Sequence, residues 1–149
     1  MKITKAKTET YILSEIDRLD PVTVYLTNYA PGQGKMAIEC YGSSWAAYWG
    51  GMGGLTIKDF ILGCDNDYIL GKLLKETRQT DFDEINEIAH KRGFSLCVTS
   101  DVEVVMQSKD MTECFGADWH LDLPRCNTNE YEYVGRILNA VKGAFNYKE

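Results

Sequence analysis

Val22-Thr-Val-Tyr-Leu-Thr-Asn-Tyr-Ala-Pro-Gly-Gln-Gly-Lys-Met-Ala-Ile-Glu-Cys-Tyr-Gly-Ser-Ser-Trp-Ala-Ala-Tyr-Trp49 decides the fold. Val22, Val24 and Leu26 alternate with Thr23, Tyr25 and Thr27, and Met36, Ile38 and Cys40 alternate with Ala37, Glu39 and Tyr41. A period of two is the mark of a strand with one buried face. Ala30-Pro-Gly-Gln-Gly34 has the proline and glycines of a hairpin loop, and Gly42-Ser-Ser reads as a second turn before the strand Trp45 to Trp49. The stretch predicts a three-stranded antiparallel meander.

Helical spacing surrounds it. On the N-terminal side Ile12, Ile16 and Leu19 predict a short first helix over Thr10–Leu19, stopped by Pro21. On the other side Thr56-Ile-Lys-Asp59 resembles a capping box with Asp59 in place of Glu, opening a helix with Ile57, Phe60, Ile61 and Cys64 on one face. A second short helix is expected from Asp67 to Leu74. Thr80 is placed to cap a helix with Phe82, Ile85 and Ile88, which Gly93 ends. Between 95 and 128 two readings stay open: Ser95–Thr99 and Val102–Val105 suit strands, while Met106 to Cys114 suits a helix. Tyr131, Val134, Leu138, Val141 and Phe145 define a C-terminal amphipathic helix. The class is α+β: a three-stranded antiparallel meander packed with several helices, in a single domain over 1–149.

With 149 residues, 44% of them hydrophobic and 26% charged, the chain has the composition of a folded globular domain. Its apolar runs fall far short of the ~20 residues that span a bilayer, and no hydrophobic signal region follows Met1 to Lys7. A cytoplasmic protein is expected, with no membrane contact. Cys40, Cys64, Cys97, Cys114 and Cys126 are odd in number and widely spaced, as expected of reduced thiols rather than a disulfide framework. Residues 1–80 hold nine basic and nine acidic side chains, while 81–149 hold seven against thirteen, so the excess acidity lies in the second half. An acidic surface repels nucleic acid and suits a basic protein face, although the same charge also serves solubility. Whether it mimics nucleic acid is left open.

Two segments are candidates for binding. Trp45, Tyr48, Trp49 and Met52 concentrate large apolar surface in a run without a charge, which favours contact with a protein partner over direct contact with nucleic acid. Trp45, Ala47 and Trp49 face one way and Ala46 and Tyr48 the other, and the tryptophans read equally well as cover for the core. The alternative is a small-ligand or nucleotide site at the glycine turn Gly50–Gly54, using Gly51, Gly53, Thr56 and Lys58, because amides at a helix start favour anions. Ala30–Lys35 is no phosphate loop, since Tyr29 and Met36 stand where glycine and Ser or Thr are needed. Cys114, His120 and Cys126, with Asp118 and Asp122 nearby, match no zinc spacing, so no metal and no cofactor is assigned. His90 suits a helix C-terminus. A Cys/His pair brought together in space stays open, and no catalytic residue is assigned.

The block Val24–Gly34 followed by Lys35–Gly53 resembles small uncharacterised accessory proteins encoded by tailed phages and prophages. That resemblance implies a biological setting and no chemistry. The expectation is a non-enzymatic protein that binds a host or phage macromolecule in an infected bacterium, with inhibition of a bacterial defence system as one form of that role. The partner and the oligomeric state are not legible at this level.

Overall fold

A computed structural model describes residues 1–147. The chain forms two compact units, the first from Met1–Thr77 and the segment beginning at Asn129, the second from Arg78–Thr128. In the first unit β1 (Thr8–Leu13), β2 (Val22–Ala30), β3 (Gln33–Cys40) and β4 (Ser43–Trp49) form an antiparallel sheet in sequence order. Helices α1 (Ile57–Gly63), α2 (Asn66–Leu73) and α6 (Asn129–Asn146) belong to the same unit. The α+β class is as expected, but the sheet has four strands, not three.

The added strand is the segment expected as a first helix. Ile12 does not join Ile16 and Leu19 on one face; it is 75% exposed, while Tyr11 and Leu13 pack against the core with strand alternation. Glu15 and Arg18 take φ of 58° and 55°, and a helix cannot run through such residues. The second turn is also displaced. It is Tyr41-Gly42, with φ of 46° and 78°, and Ser43 and Ser44 belong to β4. Positive φ at both central residues is the requirement of the hairpin turn whose twist matches the strands.

Val22, Val24, Leu26, Met36, Ile38 and Cys40 are buried on one face of the sheet. Their cover includes Ile57 and Ile61 of α1, Ile69, Leu70 and Leu73 of α2, and Val134, Ile137, Leu138, Val141 and Phe145 of α6. Full burial of a side chain of this size contributes about 1.5–3 kcal/mol, so this one layer is the main source of the unit's stability. α6 keeps the buried positions that its spacing predicts.

The second unit holds the antiparallel pair β5 (Arg78–Thr80) and β6 (Arg125–Asn127), with α3 (Phe82–Lys91), α4 (Asp101–Met106), α5 (Ser108–Phe115) and a 3-10 turn at Trp119–Leu121 between them in sequence. Ile85, Ala89, Leu96, Val98, Val104, Met111 and Cys114 form its core. Asp81, not Thr80, caps α3, accepting from the Glu84 amide at 3.0 Å; Thr80 ends β5 and donates to Asp101 at 2.9 Å. Gly93, at φ 84°, ends α3 as expected.

Neither strand considered between 95 and 105 forms. Val98 has its amide and its carbonyl bonded at 2.8 Å each to the side-chain amide of Asn86, which takes the place of a neighbouring strand. Ser100 caps α4 by accepting from the Glu103 amide at 3.3 Å, and the Glu103 carboxylate accepts from the Thr99 amide at 2.6 Å. The Thr99 hydroxyl, which donates to the same carboxylate at 2.8 Å, and then the Thr99 amide hold the Glu103 carboxyl below its ordinary range. The Ser-x-x-Glu signature thus outweighs the β-branched run Val102, Val104 and Val105.

Candidate functional site

One face of the sheet is the core; the other is open. Antiparallel register sets its side chains in rows: Thr8, Thr27, Lys35 and Tyr48; Thr10, Tyr25, Ala37 and Ala46; Ile12, Thr23, Glu39 and Ser44. A fully polar open face is the usual expectation for a sheet of this type. Here Tyr48 and Tyr29 are 55% and 53% exposed, with ring centroids 6.1 Å apart, and Ala37 and Ala46 form a low area beside them. Local bonds orient the rings. Tyr25 donates to Glu39 at 3.1 Å, which raises the Tyr25 hydroxyl above its ordinary range, and Tyr48 donates to Gln33 at 3.4 Å.

At the β3–β4 turn, Thr23, Glu39, Tyr41 and Ser44 line a shallow cavity of about 420 Å³. Its walls are hydroxyls, one carboxylate and backbone. It lies two rows along the sheet from Tyr48, so the open face has an aromatic part at one end and a polar part at the other. Lys35 is the single cation in the three rows, which is too little for a phosphate backbone.

The four expected partner residues separate across the sheet. Trp45, Trp49 and Met52 are 8%, 4% and 3% exposed and belong to the core, so burial removes them from any contact surface; Tyr48 stands on the open face. Trp45 donates to Glu130 at 2.8 Å and sets its ring edge-on to Tyr133 at 6.1 Å. Trp49 packs on Phe60 with centroids 6.2 Å apart. The alternation of β4 predicts this division, and the density of aromatic residues conceals it.

The glycine turn is shaped by packing within the unit. The Met52 amide donates to the Gly32 carbonyl at 2.9 Å, and a Cβ on Gly32 would lie 2.9 Å from the Gly54 nitrogen. Gly53 has φ 61°, and Gly51 has open space around it. At the start of α1 the Ile57 amide donates to Asn28 at 2.8 Å and the Asp59 amide to Thr56 at 3.2 Å, so these groups already have acceptors. Lys58 turns elsewhere: its Nζ lies 5.2 Å from the Tyr11 ring centroid and 5.5 Å from that of Phe145. Gly51, Gly53, Thr56 and Lys58 therefore do not converge on one point. As a cap, Thr56 is a stability residue, and Thr56→Ala is expected to lower unfolding free energy by about 1 kcal/mol in chemical denaturation.

Cys114 lies in the core of the second unit, His120 is exposed with its ring against Trp119, and Cys126 is half-buried in β6. Among the described residues no three His, Cys, Asp or Glu side chains are grouped to hold a metal ion. His90 is exposed in the last turn of α3. Among the described residues no helix is long and apolar enough to cross a membrane.

The open-face residues Tyr25, Tyr29, Lys35 and Glu39 are within reach of the sequence, because they occupy the alternate positions of strands whose other positions are apolar. No curated protein and no solved structure matches the chain. A family model described as a phage family does match, over residues 1–146, and the chain belongs to that family, Phage_phiTE_072.

Proposed function

We propose that this phage protein is a non-enzymatic accessory protein that holds a protein partner, of host or phage origin, on the open face of its four-stranded sheet. The observation that carries this reading is the exposed pair Tyr29 and Tyr48 beside the low ground of Ala37 and Ala46. Tyrosine supplies large contact area with few rotors to immobilise, which is why it is enriched among residues that dominate binding energy. Taken by itself, the second unit holds ten carboxylates against five basic side chains, a balance that repels nucleic acid. A host defence complex is the partner class that fits a phage accessory role and the one to test first.

The test is affinity capture from phage-infected cells with the tagged protein and with a Tyr29→Ala, Tyr48→Ala variant. The expected result is a stoichiometric protein partner whose capture falls about tenfold or more in the variant, at unchanged circular dichroism, because both side chains are exposed. A protein that returns with nucleic acid, or a partner held equally by the variant, rejects the reading. Plating a phage lacking this gene on hosts with and without defence systems tests the finer role.

A further inference from the structure

β4 is an edge of the sheet. An edge strand leaves alternate N–H and C=O groups without partners, and proteins ordinarily guard such edges with charges, proline or a bulge. The opposite edge, β1, contains Glu9 and follows Lys5 and Lys7. β4 has no such guard. Ser43-Ser-Trp-Ala-Ala-Tyr-Trp49 contains no charge and no proline, and its register with β3 is unbroken from Cys40↔Ser43 to Gly34↔Trp49.

The turn fixes which groups point outward. A two-residue turn at Tyr41-Gly42 makes Cys40↔Ser43 the closing hydrogen-bonded pair. By alternation the backbone of Ser43, Trp45, Ala47 and Trp49 faces β3, while that of Ser44, Ala46 and Tyr48 faces away from the sheet. Among the described residues, no backbone bond joins Ser44, Ala46 or Tyr48 to an element other than β3.

We propose that a second copy of this chain pairs antiparallel with β4 about a two-fold axis at Ala46, joining two four-stranded sheets into one. This goes beyond the partner reading and does not rest on it. A two-fold interface must be complementary to itself. With the axis at Ala46, all the outward-facing residues exchange hydrogen bonds: Ala46 with the partner's Ala46, and Ser44 with the partner's Tyr48. The same register sets Trp45 beside the partner's Ala47 and Trp49 beside the partner's Ser43. Every large ring thus meets a small residue. No like charges oppose one another, since the strand has none. Ala46, exposed and without a bulky side chain, lets the two backbones approach at the axis.

Sedimentation of the full chain from about 1 to about 100 µM tests this, because a dimer assembles by mass action. The expected particle has twice the 16.9 kDa mass of the chain. Ala46→Lys sets two ammonium groups across the axis and is expected to raise the dimer's Kd about tenfold or more with unchanged circular dichroism. Amide exchange on the wild-type protein gives a second readout that needs no variant: Ser44, Ala46 and Tyr48 gain protection as concentration rises. A wild-type monomer throughout, amides that exchange rapidly at every concentration, or a dimer that survives in folded Ala46→Lys protein overturns the proposal.

Discussion

Trp49→Ala is expected to cost about 3–5 kcal/mol of unfolding free energy, the range for truncating a buried aromatic side chain. Trp49 is 4% exposed, pairs across the sheet with Gly34 and packs its ring on Phe60. Removing the indole opens a void between β4 and α1, and a domain with a total stability of about 5–15 kcal/mol loses a large part of it. A fall in melting temperature of roughly 10–20 °C should follow. Trp49→Phe separates volume from polarity. The indole Nε1 is buried with no hydrogen-bond partner among the described residues, so phenylalanine removes an unsatisfied donor while keeping most of the ring contact. Its cost should be less than half that of alanine. If Trp49→Ala instead left the melting temperature unchanged and abolished partner capture, the tryptophan would be a contact residue and the core assignment would fail.

Those outcomes bear on what can be read from the sequence. Strand alternation is sufficient for β2, β3 and β4, because each places apolar residues on one face for several consecutive positions. β1 escapes such a reading because Ile12, Ile16 and Leu19 fall at helical spacing by coincidence. Only the positive φ at Glu15 and Arg18, which no local composition announces, breaks the segment into strand and turn. In the second unit the Val98 segment has strand composition, but a single side chain, Asn86, supplies the bonds that a neighbouring strand would make. Such a substitution depends on a contact twelve residues away, and local periodicity carries no trace of it. Within the candidate site, parity alone separates Tyr48 from the tryptophans. It does not say whether the helices cover its face or the opposite one, and the larger rings draw attention to the buried side.

Gly34→Ala should be as informative as the tryptophan, for the opposite physical reason. A Cβ at Gly34 would lie 2.8 Å from the Ile57 Cβ, 3.1 Å from the Thr27 carbonyl oxygen and 3.2 Å from the Met52 Cε. The methionine end can move. The other two are harder to displace, because Thr27 is backbone within β2 and Ile57 begins α1 with its amide tied to Asn28 at 2.8 Å. α1 must therefore shift away from the sheet, and overpacking of this kind costs about 1–3 kcal/mol. The loss should register in chemical denaturation, with faster amide exchange across Ile57–Gly63. Ile57→Ala offers no rescue, since the clashing atom is the Cβ that alanine retains, so the two substitutions should be at least additive in their cost. Gly51→Ala is the control from the same region. A Cβ there would meet nothing within 4 Å, and its φ is not left-handed, so its effect should stay within about 0.5 kcal/mol. Equal costs at the two positions would mean that backbone freedom, rather than close packing of the β2–β3 hairpin on α1, explains why this part of the chain is rich in glycine.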